Sequence, residues 1–212
     1  MKNVLVTFGT RPEAIKMAPV VSALRRRPDD FRVRVCVTAQ HRGMLDQVLG
    51  LFDIEPEVDL DLMRPGQTPA EVTARVLASM TQVMTDHAVD VVLVHGDTTT
   101  AMATGLAAFY LEVPVGHVEA GLRSGRMDAP FPEEMNRVFI DHVARHLFAP
   151  TPAAGTNLRG EGASDERVVV TGNTAIDALL EVRDRLDQAE LPVRDAVGES
   201  ERMVLVTAHR RE

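Results

Sequence analysis

Short runs of β-branched and aliphatic residues recur along the chain at 4–8, 33–38, 91–95, 115–118, 146–149 and 168–171. They are apolar nearly throughout rather than alternating. Such runs suit strands buried on both faces, as in a parallel sheet. Between them lie stretches with helical periodicity, at about 13–26, 41–52, 69–87, 99–111, 133–145, 152–160 and 174–188. Strand and helix in regular alternation imply βαβ units, and so an α/β fold: a doubly wound, mostly parallel, Rossmann-like sheet.

Local signals support the helix starts. Thr68-Pro69-Ala70-Glu71 and Thr10-Arg11-Pro12-Glu13 both have the Thr-x-x-Glu spacing of a capping box, with proline in the first turn. Thr151-Pro152 is a third cap followed by proline. Pro19 falls inside the first helical pattern, where its missing N–H predicts a kink or an early break. The alternation defines a domain over 1–188. Residues 189–202 are polar, carry Pro192 and Gly198, and read as a linker. A fresh strand pattern, Met203-Val204-Leu205-Val206-Thr207, then opens 203–212, expected to be the first strand and loop of a truncated second domain.

The charge balance narrows the partners. Lys and Arg number 23 against 31 Asp and Glu, a net charge of −8, which disfavours non-specific nucleic-acid binding. A few arginines in a cleft can still hold an anion. The lone Cys36 can form no intramolecular disulfide and no cysteine zinc site, which fits a reducing compartment. No run approaches the length of a bilayer span, and the N-terminus lacks the pattern of a signal peptide. The expectation is a cytoplasmic protein that does not bind membrane.

In open α/β sheets ligands bind outside the carboxyl ends of the strands. Gly9-Thr10-Arg11-Pro12-Glu13 follows the first run, with Lys16 one helical turn on. Gly96-Asp97-Thr98-Thr99-Thr100 follows the run at 91–95, and Glu119-Ala120-Gly121-Leu122-Arg123 follows 115–118. Pro132-Glu133-Glu134-Met135-Asn136-Arg137 opens a helix, Thr171-Gly172-Asn173-Thr174 marks a strand-to-helix turn, and His209-Arg210-Arg211 follows the last run. Arginines at such a rim grip phosphate or carboxylate with a fork of donors. Glycine before a helix start offers backbone N–H groups to an anion. Carboxylates at the same rim suit proton transfer. Together they point to a phosphorylated substrate on which protons are moved.

Each element also has a plainer use. Gly9-Thr10 can be a tight turn with a cap, and Asp97 can cap the following helix. Glu133 and Glu134 occupy a helix first turn, where acidic residues are favoured in any case. Glu119, directly after an apolar strand, is harder to place without a partner or a task. His142 and His146 are four apart, but nothing beside them completes a zinc signature, and no metal is expected. His95 and His117 end strands and are expected to be packed or hydrogen-bonded. Neither the P-loop nor the G-x-G-x-x-G fingerprint occurs, so no nicotinamide cofactor is expected either.

The segments Phe8–Pro19, Thr38–Arg42, Val94–Thr100, Gly116–Arg123, Pro132–Arg137, Thr171–Thr174 and Thr207–Glu212 resemble, in order and over essentially the whole chain, the signatures of the non-hydrolysing UDP-N-acetylglucosamine 2-epimerases. The resemblance implies the N-terminal half of a GT-B-like two-domain fold, with the active site between domains, and a homodimer. It implies reversible conversion of UDP-N-acetylglucosamine to UDP-N-acetylmannosamine without an added cofactor, supplying N-acetylmannosamine for bacterial surface polysaccharides. The reaction eliminates UDP to leave 2-acetamidoglucal and adds it back with C2 inverted. Carried over by motif, Asp97, Glu119, Glu133 and His209 are the catalytic candidates. Arg11, Lys16, Arg137 and Asn173 are the substrate-binding candidates. Gln40 and His41 match a segment that binds an activating second substrate in some members. In those members a glutamine and an arginine stand where this chain has Gly43 and Gly66, which sets that activation apart from the rest of the resemblance.

Two other readings fit the same residues. One is a GT-B glycosyltransferase using the same nucleotide sugars, separable by a product assay with UDP-N-acetylglucosamine alone. The other is a non-catalytic dimerisation or sugar-binding fragment.

Overall fold

The computed structural model describes residues 1–38, 42–64, 66–186, 204 and 206. The chain divides into two units, Met1–Ala178 and Leu179–Glu212. The sheet and all the site residues located below belong to the first. In the second, Arg185 pairs with Glu181 one helical turn away at 2.8 Å. The expected linker at 189–202 lies outside the described residues. So do the expected strand at 203–207 and the loop to 212, except for Val204 and Val206, which are exposed and outside regular structure.

In chain order the first unit runs β1 (Lys2–Phe8), α1 (Arg11–Arg25), β2 (Phe31–Val37), α2 (Arg42–Leu51), β3 (Val58–Asp59), α3 (Pro69–Asp86), β4 (Val91–His95) and α4 (Thr99–Tyr110). It continues β5 (Val115–Val118), α5 (Glu133–Val143), β6 (His146–Ala149), α6 (Pro152–Gly160), β7 (Val168–Val170) and the start of α7 (Thr174–Leu186). The strands form one sheet in the order β3-β2-β1-β4-β5-β6-β7, and every pairing is parallel. The doubly wound parallel sheet is as the sequence predicts. The two-residue β3 was not among the expected strands, because Val58-Asp59 offers no apolar run to read.

The centre of the sheet explains its composition. All of β5 and the last five residues of β1 are buried, whereas the edge strand β7 keeps Val169 and Val170 exposed. On one face Leu5, Val92, Val94 and Leu147 pack against Met80 of α3, Ala103 and Ala107 of α4 and Ile140 of α5. The alanine-rich α4 can lie close to the sheet for lack of side-chain bulk. Each fully buried Leu, Ile or Met adds about 1.5–3 kcal/mol of transfer free energy.

Pro19 does not end α1, which runs on to Arg25. Its ring removes one i→i−4 hydrogen bond, but Met17, Ala18 and Val21 bury the face beside it and hold the helix together. The strand order reverses between β1 and β4, with β2 and β3 on one side and β5 to β7 on the other. The carboxyl ends of those two strands are the switch point, where open sheets leave a ligand crevice. Gly9-Thr10 and Gly96-Asp97 stand there.

Candidate active site

At the end of β1, Thr10 caps α1 and forms the expected box with Glu13. Glu13 Oε2 accepts the backbone N–H groups of Gly9 at 3.1 Å and Thr10 at 2.8 Å. Its Oε1 accepts the Thr98 hydroxyl at 2.7 Å. This corrects the expectation of a backbone anion nest at Gly9-Thr10: the donors are already spent on the chain's own buried carboxylate. Glu13 instead clamps the β1–α1 turn to the β4–α4 turn. The turns pack tightly, and a Cβ on Gly9 would collide with Thr38 Oγ1.

Glu119 directly follows β5 with φ of 69°, a left-handed conformation costly for a residue with a Cβ. The bend turns its carboxylate toward α1, where Lys16 Nζ lies 2.5 Å from Oε2. His95 Nε2, buried at the end of β4, is 3.6 Å from the same oxygen, near enough to influence it but too far to hydrogen-bond. Burial alone would raise the pKa of Glu119; His95 and Lys16 outweigh it and hold the group at about 2. Lys16 makes the direct contact.

Asp97 has the opposite bias. Burial raises its pKa, the Arg137 guanidinium works against that, and the charges of Glu133 and Glu119 add to the rise. Arg137 Nη2 meets Asp97 Oδ2 at 2.6 Å, and Asn136 Nδ2 donates to the Asp97 carbonyl at 2.9 Å. Glu134, buried, accepts the N–H groups of Ser124 and Gly125 at 2.9 and 3.2 Å. One turn of α5 therefore holds both the Asp97 turn and the loop beyond Glu119. Glu133 begins that helix, and its buried Oε2 has no hydrogen-bond partner among the described residues. Asp97 and Glu133 line a cavity of about 390 Å³ together with Thr10, Thr98, Thr100 and Asn136.

The remaining expected site residues are placed as follows. Arg11 is exposed at the first position of α1. Arg137, expected at the substrate, has its guanidinium on Asp97. Asn173 is half-buried, and its Oδ1 accepts Ala175 N–H at 3.0 Å, the work of a helix cap. Gln40, His41 and His209 lie outside the described residues. Among the described residues no group of three or more His, Cys, Asp or Glu side chains could hold a metal ion, and no helix is long and apolar enough to cross a membrane. Sequence reasoning did not assign a site role to Glu13, Glu134 or Asn136. The Thr-x-x-Glu spacing flagged Glu13 only as a cap, and the first-turn position of Glu134 hid its reach to Ser124.

The fold and the rim define an open-sheet α/β protein with carboxylates and cations gathered at its switch point. The chain belongs to the UDP-N-acetylglucosamine 2-epimerase family, whose model matches residues 22–212. It is 56% identical over 216 residues to the UDP-N-acetylglucosamine 2-epimerase of Salmonella typhimurium, covering 99% of this chain and 57% of that relative. For the Bacillus subtilis enzyme the identity is 53%, over 99% of this chain and 54% of the relative. The crystal structure of the Neisseria meningitidis UDP-GlcNAc 2-epimerase bound to UDP-GlcNAc superposes with a TM-score of 0.85 at 50% identity, over 87% of this chain and 50% of that one. This chain thus spans little more than half the length of the curated relatives it matches. A lipopolysaccharide outer core galactosyltransferase shares the fold alone, with a TM-score of 0.58 at 10% identity.

Proposed function

We propose that this chain forms the N-terminal, carboxylate-bearing half of a two-domain enzyme that interconverts UDP-N-acetylglucosamine and UDP-N-acetylmannosamine. The observation that carries the reading is the split between Glu119 and Asp97. His95 and Lys16, the latter in direct contact at 2.5 Å, lower the pKa of one carboxylate, and burial raises that of the other, which lines the cavity with Glu133. Environments that push two carboxyl groups apart mark an acid and a base.

Epimerisation at C2 needs that pair. Glu119 takes the C2 proton as the C1–O bond to UDP breaks, leaving 2-acetamidoglucal and UDP. Asp97, with Glu133 beside it, returns a proton to the other face of C2, and a UDP phosphate oxygen re-forms the bond at C1. Atoms balance, and no cofactor or metal enters. Arg11, Lys16, Arg137 and Asn173 contact the substrate, and His209 stands near the pyrophosphate, where cationic groups stabilise the departing charge. The enzyme works as a cytoplasmic homodimer and feeds N-acetylmannosamine to surface polysaccharide synthesis.

The test is incubation of the full-length protein with UDP-N-acetylglucosamine alone in D₂O, followed by NMR. UDP-N-acetylmannosamine carrying deuterium at C2 is the expected product. Transfer of the sugar to an acceptor with no C2 exchange would overturn the reading in favour of a glycosyltransferase.

A further inference from the structure

Behind the rim lies a line of polar and charged groups, buried at His117 and Asp141 and reaching the surface at Glu161, that the proposed reaction does not use. His117, in β5, is fully buried. Its Nδ1 lies 2.6 Å from Asp141 Oδ1, and its Nε2 lies 2.7 Å from the Gly96 carbonyl oxygen. Asp141 Oδ2 accepts the Gly121 N–H at 3.1 Å and faces Arg123 Nη1 at 2.8 Å. Arg123 completes the line with a two-pronged contact to Glu161, Nε to Oε1 at 2.7 Å and Nη2 to Oε2 at 2.5 Å.

The donor and acceptor inventory constrains the histidine. A carbonyl oxygen only accepts, and so does an ionised carboxylate. Burial alone would push the Asp141 carboxyl up, but His117 and Arg123 outweigh it and hold it below the ordinary range. With Asp141 ionised, both ring nitrogens of His117 must donate. Arg123 stands between the buried Asp141 and the exposed Glu161, and a buried carboxylate so paired and hydrogen-bonded becomes tolerable.

The points of attachment give the network its use. Gly96, whose carbonyl is held, immediately precedes Asp97. Gly121, whose N–H is held, is two residues past Glu119. Its φ of 84° and the nearby Ala154 carbonyl leave no room for a Cβ. One carboxylate on α5 therefore reaches both turns that carry the split carboxylates.

We infer that His117 and Asp141 are a buried positioning pair that fixes the turn of Asp97 relative to the turn of Glu119, with hydrogen on both ring nitrogens of His117. This rests on the reading of Asp97 and Glu119 as the proton-handling groups. A pair that merely fills space would not couple turns at the ends of different strands.

The test uses the whole chain, labelled with ¹⁵N at histidine, at neutral pH. His117 is expected to show two ring N–H resonances; a single one overturns the inference. Asp141→Asn and Asp141→Ala then separate the parts. In D141N the carboxamide oxygen can keep Gly121 and Arg123 while its NH₂ donates to Nδ1, so the Nδ1 hydrogen is lost and the bond to Gly96 survives. In D141A the amide resonances of Asp97 and of Glu119 to Gly121 are expected to move together, while those of Gly9 and Thr10, held by Glu13, stay. Movement confined to the β5 side overturns the coupling. If D141A does not fold, the ring resonances of the wild type and of D141N still decide the matter. In the full-length enzyme D141A should lose about 10²-fold in kcat with little change in KM, as expected for misplacement of reacting groups, and D141N should recover at least tenfold of that. Equal losses in the two variants contradict a positioning role. A wild-type enzyme without epimerase activity would refute the proposed function and leave the ring resonances as they are.

Discussion

Lys16 and Glu119 stand 103 residues apart in the chain and 2.5 Å apart in space. The contact joins the first helix to the loop after β5 across the end of β4, the strand that lies between β1 and β5 in the sheet. It ties the strained Glu119 turn to α1 and, with His95, lowers the pKa of the carboxylate.

Lys16→Met keeps the length of the side chain and removes its charge. At pH 7 it should destabilise the chain, by less than the ~3–5 kcal/mol of a fully buried pair because both groups keep some solvent contact. The sign with pH follows from Glu119, depressed from 4.5 to about 2. Its contribution is present above the unfolded value and lost as pH falls through the folded one. The gap in urea midpoint between wild type and K16M should therefore be widest near neutrality and close between about pH 4.5 and 2. A gap that does not vary with pH would show that packing, and not the ion pair, is responsible.

The β1 turn offers a second comparison. Glu13→Ala strands the N–H groups of Gly9 and Thr10 and releases Thr98, and each unsatisfied buried donor costs about 1–3 kcal/mol. Glu13→Gln keeps an oxygen for the two N–H groups and should cost only about 1 kcal/mol. Thermal melts of the two variants check this. Equal losses would mean that the turn does not depend on the clamp.

How far the sequence foretold this arrangement depends on range. The strand runs and the Thr10 and Thr68 caps are local patterns, and the structure has them. The rim motifs follow from the rule that ligands sit at strand ends, and Asp97 and Glu133 do line one cavity. What could not be read were pairings that the topology creates. Lys16 meets Glu119 only because β1 and β5 flank β4. His117 meets Asp141 only because α5 packs over β5. The split between Asp97 and Glu119 depends on burial and neighbours, which residue type does not reveal. Arg137 is a further case: its motif says nothing of Asp97, on which its guanidinium lies.

The isolated chain should show little or no epimerase activity. It spans 57% of the Salmonella relative, and positioning a sugar against the carboxylates draws on binding energy from the rest of the substrate. NMR of a UDP-N-acetylglucosamine incubation checks this. A rate near that of a full-length enzyme would mean that this chain binds and turns over the substrate unaided.

The carboxylates supply the most discriminating prediction, because Asp97 should separate stability from turnover. A carboxyl group whose folded pKa is raised works against folding as pH climbs past its unfolded value. Asp97→Asn removes that penalty and keeps the size of the side chain, so melting of the chain at pH 7 should occur at the wild-type temperature or above. In the full-length enzyme the same change removes a proton carrier, and kcat should fall about 10²–10⁴-fold with a much smaller effect on KM. Glu119→Gln should cut kcat over the same range but lower the melting temperature, since it leaves Lys16 without its anion. Glu133→Gln should cut kcat with little effect on melting, its Oε2 having no hydrogen bond to lose. Thr98, not Asp97 as the sequence allowed, caps α4, so the contrary forecast comes from a purely structural role through the pair with Arg137: lower stability with turnover nearly intact. Measuring melting and kcat on the same three variants decides between them, and wild-type turnover in all three would mean that the rim carboxylates are structural.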